Sequence, residues 1–241
     1  MIPKLIHYCW FGRGQKPELA IKCIESWKRY LPDYDIKEWN EDNFDLNMYP
    51  YVREAYDNRK FAFVTDVVRL YALYNEGGIY MDTDVEVLKP LDSLLSYKGV
   101  SGFESSTQIP TGLMASQKSL PIIKEFLDEY NDLHFIRSNG SMDTTTNVER
   151  ITRTCLKYGF LANGQQQVIE DFTFLPSDYL CPKNYKTGKI HLTENTLCIH
   201  HFSGSWQPGW KKILLKVWLP FTNMCPRLSS RMKLLWKKDL Q

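Results

Sequence analysis

Residues 61–88 read FAFVTDVVRLYALYNEGGIYMDTDVEVL, and this stretch decides the fold. Its first fifteen residues are apolar almost all round, so they predict a helix, Phe61 to Asn75, buried on several sides. Only Thr65, Asp66 and Arg69 interrupt it, and the two charges, three apart, share a face. Glu76-Gly77-Gly78 ends the helix, as glycine does at a C-terminal cap. Ile79-Tyr80-Met81 then reads as a short buried strand running straight into Asp82-Thr83-Asp84, and Val85 to Leu88 is strand-like again. In a strand-like DTD the two aspartates project to one side.

The flanks extend the pattern. Lys4 to Trp10 predicts a strand, Pro17 opens a helix with Leu19, Ala20, Cys23, Ile24 and Trp27 at helical spacing, and Tyr34 to Trp39 is a second strand. Strand, helix, strand is the opening of a parallel α/β unit. Further strands are expected at 99–103, 111–115, 172–175 and 196–202, and helices at 119–131 and 147–158. The Gly12-Arg13-Gly14 loop lacks the third glycine of a dinucleotide fingerprint.

The chain has 241 residues, 43% hydrophobic and 24% charged, a globular balance that excludes disorder. No apolar run reaches the roughly 18–20 residues of a membrane span. The N-terminus shows no basic region followed by an apolar stretch, so no signal peptide is expected. From Gln207 onward eight bases face one acid, a net +7, which leaves −5 on the rest of a chain of net charge +2. An acidic body of residues 1–206 and a basic tail of 207–241 follow, and that asymmetry suggests a surface partner. In the tail Ile213, Leu214, Val217, Trp218 and Phe221 fall on one helical face, and Leu228, Met232 and Leu235 repeat the pattern. A basic amphipathic tail with tryptophans suits an anionic membrane surface. No nucleic-acid-binding motif is present, so no nucleic-acid partner is expected. None of the six cysteines forms a CxxC pair, and buried free thiols are expected.

Three clusters carry chemistry. Asp82 and Asp84 at the end of a buried strand suit a hard cation such as Mn²⁺ or Mg²⁺, which would hold a substrate's phosphates. Asp66 and Arg69 are charges on an apolar helix, costly unless paired with each other or bound to a ligand. His200-His201-Phe202-Ser203-Gly204-Ser205-Trp206 offers an imidazole to complete the cation site. Neighbouring strand residues face opposite ways, so one histidine at most ligates.

The blocks IPKLIHYCWFG, residues 61–88 and HHFSGSW, in this order, resemble the DXD-containing glycosyltransferases of family 32. That family includes fungal mannosyltransferases and bacterial capsule and lipopolysaccharide sugar transferases. The resemblance is strong over residues 2–95, moderate over 190–206 and loose between 100 and 185. It implies a GT-A fold, a mixed central sheet flanked by helices, followed here by the amphipathic helical tail. It implies a nucleotide-sugar donor, UDP-sugar favoured, and a divalent cation. Trp10 sits where the family stacks the donor base, and Asp66 and Arg69 where it contacts the donor sugar and phosphates. Tyr80, Asp82, Thr83 and Asp84 match the DXD block. His201 takes the place of a C-terminal metal ligand, with His200 as the fallback, and Ser205 and Trp206 would close over the diphosphate. Asp82, Asp84 and Arg69 would be the catalytic set.

The implied reaction moves a hexose or N-acetylhexosamine to a saccharide or undecaprenyl-linked acceptor in surface polysaccharide synthesis, with retention. Glu86, Asp92 and Glu104 are available as bases, so the residues alone leave inversion open. The implied location is cytoplasmic, on the inner face of a bacterial membrane. The rival readings are a non-catalytic nucleotide-sugar- or carbohydrate-binding module and a HAD-type phosphatase, which also uses DxD after a strand. The phosphatase would need a later GDxxxD-like acidic cluster that the sequence lacks.

Overall fold

In a computed structural model, which describes residues 1–105, 108–109, 111–185 and 187–204, the chain forms a mixed α/β domain. The elements in order are β1 (Leu5–Cys9), α1 (Glu18–Tyr30), β2 (Asp35–Trp39), α2 (Pro50–Asp57), α3 (Phe61–Glu76), β3 (Gly78–Met81), β4 (Val85–Val87) and a 3-10 turn (Asp92–Ser96). There follow β5 (Gly99–Gly102), β6 (Leu113–Ser116), α4 (Pro121–Asp128), α5 (Asn147–Lys157), β7 (Gln167–Ile169), β8 (Phe172–Leu175), α6 (Ser177–Leu180) and β9 (Cys198–His200).

Seven strands form one sheet in the order β2-β1-β3-β6-β5-β8-β7, and β4 pairs with β9 in a separate two-stranded sheet. β1 is parallel to β2 and to β3, while β3 and β6 are antiparallel. The expected α/β architecture, a mixed central sheet flanked by helices, is the one observed.

Alternation along the strands fills two cores. Ile6, Ile79, Met81 and Ala115 point to one face, with Trp27, Val85, Val87 and Leu94. Tyr80 and Met114 point to the other, with Val64, Val67, Val68 and Leu70 of α3 and with Ile123, Phe126 and Ile151. Helix α3 lies against the sheet, flanked by α2 and α4, which explains why its sequence is apolar nearly all round. Gly77 ends it at φ +71, its amide donating to the Leu73 carbonyl at 3.0 Å. A Cβ at Gly77 would lie 2.7 Å from the Lys118 backbone nitrogen.

Four elements were not expected from sequence: α2, the 3-10 turn, β7 and α6. Asp82-Thr83-Asp84 also departs from expectation. It is a turn, closed by the Val85 amide donating to the Asp82 carbonyl at 2.9 Å, because the chain must leave the large sheet to pair with β9. Five cysteines, Cys9, Cys23, Cys155, Cys181 and Cys198, are free and buried, as expected. Ser205, Trp206, Cys225 and the 207–241 tail lie outside the described residues.

Candidate active site

β1 has β2 on one side and β3 on the other, so the order reverses there. In open α/β sheets ligands bind in the crevice outside the carboxyl ends at such a switch point. Trp10 directly follows β1, and Asp82 directly follows β3, its amide held at 2.8 Å by the Gly112 carbonyl.

The Trp10 indole N–H donates to the Gly14 carbonyl at 2.6 Å, and its amide to the Trp39 carbonyl at 2.9 Å. It borders a cleft of about 280 Å³ with Arg13, Lys16, Glu38, Glu41 and Asp42. Lys16 sits 5.6 Å over its ring.

One turn of α3 brings Asp66 and Arg69 beneath the DTD turn. Arg69 is 4% exposed. Its guanidinium donates to the Thr111 carbonyl at 2.5 Å and to Asp66 Oδ1 at 3.0 Å, lies 3.3 Å from Asp82 Oδ1, and covers the Tyr80 ring at 4.6 Å. The Tyr80 hydroxyl donates to Asp82 Oδ1 at 2.7 Å. Arg69 thus pairs with Asp66 and also reaches the motif. Burial works against the Arg69 charge, but Asp82, Tyr80 and Asp66 outweigh it and fix it as a cation. Burial raises the Asp66 carboxyl to about 6, against the attraction of Arg69.

Asp84 and His200 form the other half. His200 Nε2 is 3.2 Å from Asp84 Oδ1 and 3.9 Å from Asp82 Oδ2. Asp84 Oδ2 accepts from the Ser203 amide at 2.6 Å. Burial alone would raise Asp84, but the His200 charge and hydrogen bond, with the Ser203 amide, hold it well below the usual carboxylate range. Burial likewise opposes a charged His200, and Asp84 overrides that, lifting it well above the ordinary imidazole value. The Phe202 ring lies on His200, centroids 4.3 Å apart, with Phe202 at φ +56, a strained backbone for a bulky residue.

The expectation that His201 is the ligand is corrected here. Its Nε2 lies 2.8 Å from Glu86 Oε2, and its amide donates to the Asp84 carbonyl at 2.9 Å. Side chains alternate across a strand, and the register that pairs His200 with Val85 sends His200 to the DTD turn and His201 away from it. Asp82, Asp84 and His200 place their ligand atoms within 4.8 Å of one another. Two carboxylates and an imidazole are a donor set that fits Mn²⁺ or Mg²⁺. Thr83 holds the half-buried middle of the turn.

Two residues hold positions in the fold that the sequence did not assign to them. Asn147, buried at the start of α5, donates to the Asp66 carbonyl at 3.1 Å and ties α5 to α3. Glu86, considered in sequence only as an available base, instead holds both His201 and Lys22, the latter at 2.9 Å.

Residues 17–100 match the family described as "Glycosyltransferase sugar-binding region containing DXD motif". The chain is 32% identical over 126 residues to inositol phosphoceramide mannosyltransferase 3 of Schizosaccharomyces pombe, covering 51% of this chain and 35% of that one. It is 31% identical over 105 residues to toxin Afp18 of Yersinia ruckeri, covering 41% and 5%. The chain therefore spans only a minor part of these relatives. Similar solved structures include PaToxG glycosyltransferase, 23% identical with a TM-score of 0.49 and covering 65% of this chain and 68% of that one. Within residues 17–100, which hold Asp66, Arg69, Asp82 and Asp84, the chain is similar to the sugar-binding region of DXD-containing glycosyltransferases.

Proposed function

We propose that the chain is a metal-dependent glycosyltransferase. It moves a hexose or N-acetylhexosamine from a nucleoside-diphosphate sugar, UDP-sugar favoured, to a saccharide or undecaprenyl-linked saccharide in surface polysaccharide synthesis, with retention. The observation that carries this reading is the Asp82, Asp84 and His200 cluster at the switch point, backed by Arg69. The mannosyltransferase names of the fungal relatives add a mannose donor to those worth testing. The +7 tail supports attachment to the inner face of a bacterial membrane.

Departure of the nucleoside diphosphate builds negative charge on its phosphates. A divalent cation held by Asp82, Asp84 and His200 supplies Lewis-acid stabilisation of that charge when bound. His200 must shed its proton to ligate. Arg69 adds a second fixed positive charge, pre-oriented by Asp66 and the Thr111 carbonyl, so no reorganisation is needed as charge develops. Tyr80 holds one oxygen of Asp82 and leaves the other free to ligate. Trp10 offers a ring face to the donor base. Ser205 and Trp206, which the resemblance would set over the diphosphate, lie outside the described residues.

The test is a thermal-shift panel of UDP- and GDP-sugars with and without Mn²⁺, followed by donor turnover. The expected result is a metal-dependent rise with one donor, lost in Asp84→Ala, with slow donor hydrolysis. Metal-dependent binding with no turnover on any acceptor would favour a binding module. No shift with any donor on folded protein would contradict the donor site.

A further inference from the structure

Residues 182–185 and 187–192 form the two arms of a hairpin beside His201 and Phe202, just after β9. The Asn184 amide donates to the Lys189 carbonyl at 2.8 Å and the His191 amide to the Pro182 carbonyl at 3.1 Å, with Lys183 paired opposite Ile190. In an antiparallel pair, opposite residues and those two further along share a face. Tyr185, Ile190 and Leu192 therefore lie on one face, and they are 42%, 45% and 56% exposed. The segment carries Lys183, Lys186 and Lys189 and no acid from Cys181 through Thr193. The hairpin is tied to the site: Lys183 Nζ donates to the His201 carbonyl at 2.6 Å, and the Tyr185 ring lies 5.4 Å from that of Phe202, which covers His200.

Two partners compete for this face. One is the chain's own tail, which starts five residues after Phe202. The tail carries +7, and the hairpin is cationic too, so docking one on the other sets like charges together. The other is an anionic lipid surface, which attracts both and takes up apolar side chains at its headgroup boundary. We infer that this hairpin is a second membrane-contact element. It dips Ile190 and Leu192 into an anionic interface while Lys189 stays with the headgroups and Tyr185 stays against Phe202. Because the hairpin buttresses the chain just after β9, contact brings the mouth of the site to the lipid surface, where a lipid-linked acceptor would be presented. That last consequence rests on the proposed transferase reading; the contact itself does not.

The experiment is co-sedimentation of the full chain with phosphatidylcholine vesicles with and without phosphatidylglycerol. The variants are Ile190→Asp/Leu192→Asp, Lys189→Glu, and a tail variant, Lys211→Glu/Lys212→Glu/Lys216→Glu. Binding to the anionic vesicles should fall about tenfold in the double variant and several-fold in Lys189→Glu, with melting temperature and donor hydrolysis unchanged. Full binding in the double variant, with loss in the tail variant, would overturn the hairpin while leaving the tail's role intact. Full binding together with faster proteolysis of residues 205–241 would show that the hairpin face holds the tail, and would overturn the inference as well. The assay reads neither donor nor metal, so its failure is separate from failure of the transferase reading.

Discussion

Arg69 joins helix α3 to the DTD turn. It binds Asp66, the Thr111 carbonyl and Asp82 at once, in a setting 4% exposed. Arg69→Ala leaves buried carboxylates without their cation, so unfolding free energy should drop by about 3–5 kcal/mol in denaturant melts. Arg69→Lys keeps the charge but loses the fork, and kcat should fall on the order of 100-fold with the fold intact. Asp66 has a pH signature. Its folded carboxyl is raised to about 6, against about 3.9 in an unfolded chain. Its stabilising contribution is present below about pH 4 and is lost as pH rises through about 6, about 3 kcal/mol in all. Denaturant melts from pH 4 to 7 should show that loss in the wild type relative to Asp66→Asn. His200 works in the opposite sense for ligand binding: its raised value means a proton competes with metal, so Mn²⁺ affinity should climb with pH.

At the scale of elements, the β4–β9 pair sets the cation site. Register puts His200 against the DTD turn, and Glu86 holds His201 behind it at 2.8 Å. Glu86→Ala frees that anchor, so the Mn²⁺ concentration for half-maximal activity should rise about tenfold, while Glu86→Gln, which still accepts a hydrogen bond, restores most of it. Gly112 leaves room for the imidazole, since a Cβ there would come within 2.7 Å of His200 Nδ1. Alternation alone showed that only one histidine could face the site. It did not show which, because that depends on a pairing between residues 115 apart. The helix α3 was legible because its apolar residues run unbroken to a glycine stop. Helix α2 was not, although Pro50 stands at its first turn, because its eight residues make barely two turns of pattern. β7 has three residues, too few for a period of two to register.

Over the whole molecule, residues 1–88 apart from α2 were readable because strand, helix and glycine signals agree there and the parallel unit β1-α1-β2 is local. The other half of the sheet was less so. β5 is parallel to β8 across some seventy residues, and such pairings leave little mark on either strand. The aspartates, Arg69 and Trp10 were identified from local pattern and resemblance. Asn147 and Glu86 act through contacts that only the folded chain creates.

The central claim is that Asp82, Asp84 and His200 form one divalent-cation site. Titration of Mn²⁺ into the protein, followed by the loss of its free-ion paramagnetic resonance signal, tests it most directly. Wild type should bind a single Mn²⁺, His200→Ala and Asp84→Ala should lose it, and His201→Gln should retain it. Unchanged binding in His200→Ala, or its loss in His201→Gln alone, would contradict the account.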